Sequence, residues 1–345
     1  MTKPPRLKKG DTVAIVSLSS GMAGEAAFKH RYEVGKERLE SVFGLNVVTM
    51  PSALKGFEYV YNHPEARAAD LTGAFKDKDI KAVICMIGGD DTVRLLDHID
   101  FDIIRQNPKI FMGYSDTTVN HFMMRKAGLV SFYGPSILAE FAENVEMHEY
   151  TVNHIRSVLF EPTPELEISP GPDWTAERLE WGKESNNKIR RAMTKDDKGY
   201  ELLQGTGTAS GFLLGGCIDV FQMIIGTKIW PSPEEWEGAL LFFETSEECM
   251  EPRGMKYLLR NFGAQGIFNK INGIIIGKPQ GEKYYNEYKE VILQVIGKEY
   301  KRGDLPILYN LNFGHNAPMC VLPYGVKAEI NCDKKSFRLL EAGVV

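Results

Sequence analysis

The sequence predicts an α/β protein, with a doubly wound parallel-sheet domain in its first half and a smaller, β-rich domain in its second. Three observations predict it. In the first half, short runs that are apolar throughout alternate with helix-like segments, as in a parallel sheet covered on both faces. The composition changes after Phe160, where residues 161–173 hold four of the chain's 17 prolines. Near the C-terminus, two alternating runs flank Asp333-Lys-Lys in the manner of a β-hairpin.

Residues 11–17 (DTVAIVS) make the first strand and run into the turn-rich stretch 17–21. Residues 30–43 read as an amphipathic helix and 45–50 as the second strand. Pro64 suits a first helical turn, and its helix extends to about residue 75. Strand 81–87 breaks at Gly88-Gly89, and Asp90 is placed to cap a helix that ends near His98. Strand 109–113, a helix opening near Asp116 and a short strand 129–132 complete a domain at 1–160. Residues 161–206 read as a linker and long loop, charged between 173 and 200 and carrying Trp174 and Trp181. A loop of that length in a compact protein is usually functional or disordered. The domain at 207–345 offers strands at 209–214, 238–244, 273–277 and 306–311, and helices at 216–226, 255–262 and 285–296. The hairpin 326–331/336–341 closes it.

Composition excludes several classes. The 345 residues amount to about two domains at roughly 150 residues each. Forty-one basic against 46 acidic side chains leave a net charge of −5, no footprint for nucleic acid or an anionic membrane. The longest apolar run, 82–87, is far short of the roughly 20 residues that span a bilayer. The N-terminus is charged with no apolar stretch behind it, so no secretory signal is expected. Five cysteines, none at C-x-x-C spacing, argue against structural zinc or a disulfide scaffold. A cytoplasmic enzyme or binding protein remains.

In open parallel sheets the ligand crevice lies beyond the carboxyl ends of the strands. That directs attention to the loops 17–21, 88–91 and 113–116. In Gly113-Tyr-Ser-Asp-Thr-Thr, Ser115 stands at a strand-to-helix turn, where its hydroxyl faces the crevice and the helix amides favour a developing negative charge. A plain helix cap is the alternative reading. Gly88-Gly-Asp-Asp-Thr lets the backbone approach a ligand closely. It is similar to the glycine-rich loop of NAD and lipid kinases, so a nucleotide-dependent kinase is one competing function and a non-catalytic binding protein another. Glu244 ends the run Ala239-Leu-Leu-Phe-Phe, as a strand terminator or as a partner for a histidine. His315, after Gly314 at a strand end, is the best-placed general base. The other six histidines lie on helical or polar stretches and read as surface residues. Spacing alone leaves the triad open.

Taken together, Gly113-Tyr-Ser-Asp, Gly88-Gly-Asp-Asp, Gly215-Gly-Cys-Ile, Phe243-Glu-Thr and Phe313-Gly-His resemble the LD-carboxypeptidase family of serine peptidases, in the family's order and across nearly the whole chain. Leu241-Phe-Phe-Glu-Thr-Ser-Glu-Glu, Gly226-Thr-Lys-Ile-Trp-Pro, Gly277-Lys-Pro-Gln-Gly-Glu and the tryptophan-bearing insert are more similar to its microcin C self-immunity branch. The resemblance implies a barrel-like C-terminal domain and a cytoplasmic homodimer without metal or cofactor. It implies Ser115 as nucleophile, His315 as general base and acid, and Glu244 as the carboxylate that orients it. The backbone amides of Gly89 and Asp116 become the candidate oxyanion hole, and Trp181 a candidate stacking surface for an adenine. The implied reaction is amide cleavage in a peptide-nucleotide antibiotic of microcin C type or a related aminoacyl-sulfamoyl-adenylate. The alternative is removal of a terminal D-alanine from a muropeptide tetrapeptide.

Overall fold

A computed structural model describes residues 1–345. Five strands of the first half are β1 (Thr12–Val16), β2 (Asn46–Thr49), β3 (Ile80–Cys85), β4 (Ile110–Gly113) and β5 (Phe132–Tyr133). The middle segment contributes β6 (Leu166–Ile168), β7 (Asp173–Trp174), β8 (Thr194–Lys195) and β9 (Glu201–Gln204). The last part holds β10 (Thr208–Cys217), β11 (Ala239–Glu244), β12 (Gly273–Gly277), β13 (Ile307–Leu311), β14 (Leu322–Pro323), β15 (Lys327–Asn331) and β16 (Ser336–Leu339).

The first sheet has the order β14-β5-β4-β3-β1-β2. All its pairs are parallel except β14 against β5. Strands β3 and β4 are apolar almost throughout because helices cover both faces, which leaves no solvent side for an alternating pattern. The second sheet has the order β6-β16-β15-β10-β11-β12-β13-β9. Its centre, β10 to β13, is parallel, and its flanks are antiparallel. Strands β6 and β9 end the sheet and do not pair with each other, so the second half is β-rich as expected, but its sheet is open and does not close into a barrel. Antiparallel pairs at the flanks supply the edges, and nothing in the strand order brings them together.

Residues 166–168 and 201–204, within the stretch expected to be linker and loop, are those two edge strands. Strand β14 crosses from the second half into the first sheet. One continuous apolar cluster therefore runs through both sheets. The helix Thr118–Lys126 lies between them, buried from Thr118 to Met124. This corrects the reading of His121 as a surface residue. It is fully buried, bonds Ser131 and the Gly113 carbonyl, and stacks on Tyr324 at 4.5 Å. Asp90 is exposed and caps nothing. The N-cap position before the short helix Thr92–His98 is Asp91, whose carboxylate is drawn instead to buried Arg67 at 2.6 Å. No helix is long and apolar enough to cross a membrane.

Candidate active site

Ser115 follows β4 with φ 62°, in the left-handed region that a non-glycine residue rarely adopts. The turn is held from behind. Asp116, fully buried, accepts bonds from the Ser19 hydroxyl at 2.6 Å and from the Asp91 and Thr92 amides at 3.0 and 2.9 Å. The Tyr133 hydroxyl accepts from the Ser115 amide at 3.2 Å. Gly88 packs directly on the serine: a Cβ there would stand 2.8 Å from Ser115 Cβ and 2.9 Å from its Oγ. The neighbouring Gly89 amide donates to no backbone carbonyl. The 88–92 loop thus buttresses the Ser115 turn, with Asp91 tied to Arg67 and Arg94.

Glu244 ends β11 and is fully buried. One carboxylate oxygen accepts from Tyr133 Oη, and the other stands 2.8 Å from His315 Nδ1. The loop after β13 reaches this carboxylate because Gly314 has φ 100°, and a Cβ there would lie 2.4 Å from Glu244 Oε2. Tyr114 packs its ring edgewise on His315 at 5.0 Å. Its hydroxyl donates to buried Glu140 at 3.0 Å.

Ser115 and His315 line one cavity of about 410 Å³, which also meets Gly88, Gly89, Arg31 and Trp181. The three residues expected to form a triad therefore converge from both sheets. The Glu244–His315 bond is made, and no hydrogen bond joins Ser115 Oγ to His315. The imidazole Nε2 is instead 3.0 Å from Glu247, a residue the sequence reading quoted but gave no role. Burial pulls the His315 pKa down, but Glu244 and Glu247 outweigh it and lift it from 6.5 to about 10. One grouping of metal-ligating types exists: Cys217, Glu244 and His315 offer atoms within 4.8 Å of one another. Two of these already bond each other, and burial pushes the Cys217 thiol well above its usual range, which disfavours a thiolate ligand.

Trp181 is half-buried, with the Arg31 guanidinium 4.4 Å from its ring centre. Arg31 is fixed by the Leu138 and Ala142 carbonyls and by Asn144. Trp174 is buried, and the adjoining Thr175 exchanges backbone bonds with Ala317, which packs this part of the insert onto the protein body.

Residues 13–134 match the LD-carboxypeptidase N-terminal domain, and residues 210–330 match its C-terminal domain. The chain belongs to the LD-carboxypeptidase family of peptidases. It is 30% identical to the microcin C7 self-immunity protein MccF of Escherichia coli, covering 97% of this chain and 94% of the relative. A probable murein peptide carboxypeptidase of Bacillus subtilis is 29% identical, covering 99% and 95%. Among solved structures, an MccF-like protein from Streptococcus pneumoniae in complex with AMP superposes with a TM-score of 0.87 at 36% identity, covering 96% and 98%. MccF in complex with aspartyl sulfamoyl adenosine gives 0.84 at 26%, covering the whole of both chains.

Proposed function

We propose that this peptidase is a serine hydrolase that cleaves the bond between an aminoacyl group and a nucleotide-like part, as in a processed peptide-nucleotide antibiotic or an aminoacyl-sulfamoyl-adenylate. Ser115 attacks the carbonyl, His315 accepts its proton and returns it to the leaving group, and Glu244 holds the imidazole tautomer. The Gly89 amide and that of Asp116 receive the oxyanion. Water then releases the acyl-enzyme. The observation that carries the substrate class is Trp181. It lies in the same cavity as Ser115 and His315, backed on one face by Arg31, and offers a planar surface to a base. Relatives solved with AMP and with aspartyl sulfamoyl adenosine support the same class. The L,D-carboxypeptidase reading, supported by the Bacillus subtilis relative, uses the same machinery on a muropeptide.

In this reading 1–160 carries the nucleophile, 161–206 the substrate loop and 207–345 the base and its carboxylate. The protein works as a cytoplasmic homodimer, as the family resemblance implies, which light scattering on the purified protein tests. The substrate is tested by incubating the enzyme in parallel with an aminoacyl-sulfamoyl-adenylate and an L,D-muropeptide tetrapeptide. Release of the sulfamoyl nucleoside with little D-alanine is expected, and the reverse preference would move the protein to the carboxypeptidase reading.

A further inference from the structure

His315 makes two contacts that a general base in a triad does not make together. Nδ1 is on Glu244, as the mechanism needs, but Nε2 stands 3.0 Å from Glu247 Oε2. Nε2 is the atom that must take the serine proton. Glu247 is itself held from the far side, with its other oxygen 3.3 Å from Arg178 of the insert. Four side chains stand against or near the imidazole. Glu244 and Glu247 are paired with it, the Tyr114 ring packs on it, and buried Cys217 lies within 4.8 Å of the Glu244–His315 pair. Arg178 acts only through Glu247.

Glu247 also stands where two cavities meet. The charged lining of the Trp181 cavity is mixed, with Arg31, Arg178 and Arg191 set among five glutamates that include Glu247. A second, of about 980 Å³, also reaches Ser115, and its charged lining is acidic throughout: Glu58, Asp90, Asp91, Asp219, Glu247 and Glu248. Ser115 and Glu247 belong to both. With a nucleoside on Trp181 and its acyl carbonyl at Ser115, as the proposed function requires, the acyl residue would lie at the junction that Ser115 and Glu247 share. An aminoacyl group carries its ammonium one carbon from the carbonyl that Ser115 attacks, so the charge arrives beside Glu247.

We propose that Glu247 is a clamp on the catalytic imidazole of the free enzyme, opened by a substrate with a free ammonium group next to the scissile carbonyl. The ammonium takes the Glu247 carboxylate as its partner. Nε2 is released, the imidazolium gives its proton to solvent in the cleft, and the neutral imidazole turns to the Ser115 hydroxyl. Glu247 is thus a positioning residue that couples release of the base to recognition of the acyl group. The raised His315 pKa agrees with the closed state. The inference rests on the reading of His315 as base and of Trp181 as the nucleoside side.

Two measurements separate failure of the clamp from failure of that reading. The first needs no turnover. The His315 ring is titrated by NMR in the free wild-type protein and in Glu247→Gln, which keeps the shape and sits on a side chain 37% exposed. Loss of one carboxylate within contact distance should lower the imidazole pKa by about 1 to 3 units, and an unchanged titration overturns the clamp. The second compares kcat/KM for an aminoacyl-sulfamoyl-adenosine with that for its N-acetyl form. The wild type should prefer the free amine by about 10- to 100-fold, the worth of one charged hydrogen bond. Glu247→Gln should bring that ratio close to one and move the acidic limb of the pH profile downward. Equal ratios in both proteins overturn the substrate-opened clamp. If neither compound is cleaved by wild type, the functional reading fails, and the titration alone decides the clamp.

Discussion

Ser115 holds a backbone conformation that costs an L-residue roughly 1–2 kcal/mol relative to glycine, and the buried Asp116 bonds keep it there. Two substitutions separate its chemistry from its strain. Ser115→Ala and Ser115→Gly should both lose activity by a factor on the order of 10³ to 10⁶, as for other triad serines. In urea denaturation Ser115→Gly should be the more stable of the two by about 1 kcal/mol. Near wild-type turnover in either would remove Ser115 as nucleophile, and equal stability would mean that the turn stores no strain. Combining Ser115→Ala with His315→Ala should cost little beyond either alone, because both serve one proton transfer. These residues were legible because each ends or follows an apolar strand, where open α/β sheets place their chemistry. Tyr133 was not legible because its partner Glu244 comes from the other sheet, and Glu247 was not because its partner His315 follows a different strand of the same sheet, far along the chain; no local pattern encodes either. His121 was misread for a related reason: a helix packed between two sheets has no solvent face for its polar residues to mark.

At the scale of elements, the insert decides substrate class, and its anchoring is specific. Asp196 and Lys278, both 1% exposed, form an ion pair at 3.1 Å that ties the end of the insert to the strand end of β12. The Lys278 ammonium also lies 4.9 Å from the Trp174 ring. Removing one partner of a buried pair typically costs about 3–5 kcal/mol, and less here, because the Lys278 ammonium keeps Asn310 at 2.8 Å and Glu282 at 3.5 Å. Asp196→Ala should therefore loosen the insert and speed tryptic cleavage at Arg190 and Arg191. Unchanged cleavage would show that the pair is not what holds it. Trp181→Ala tests the other end. Base stacking worth about 1–3 kcal/mol predicts a rise in KM of one to two orders of magnitude for a nucleotide-bearing substrate. Cleavage of a small non-nucleotide amide should hardly change, whereas equal losses would make Trp181 a structural residue. Most main strands were readable to within a residue or two from their apolar runs, while β10 runs three residues past its expected end and β5 begins three residues late. The edge strands β6 and β9 and the crossing β14 were not, since two to four residues pairing across a long stretch of chain carry no periodicity of their own.

For the whole molecule, the weld between the two sheets and the acid response of the protein are the same feature. His121 sits in that weld, and burial drives its pKa from 6.5 to about 3, against the opposing bond to the Gly113 carbonyl. Burial alone takes His154 to about 4. Both are neutral in the folded protein where an unfolded chain would bind protons. Stability is therefore lost as pH falls below about 6.5, at up to 1.36 kcal/mol per pH unit for each proton taken up. His315 acts in the other direction. Its raised pKa contributes stability that is complete below about 6.5 and fades as pH rises through about 10. Buried Glu140 and Asp219, raised by desolvation, oppose the histidines at the acid end, so the net slope alone cannot identify His121. The imidazole signals can. Between pH 8 and 5 the His121 ring should not titrate, while urea midpoints fall steadily below pH 6.5. A His121 ring that titrates near 6.5 in the folded protein would mean that the weld admits water, and the two halves of the active site would then lack the fixed relation that the Ser115–His315 geometry requires.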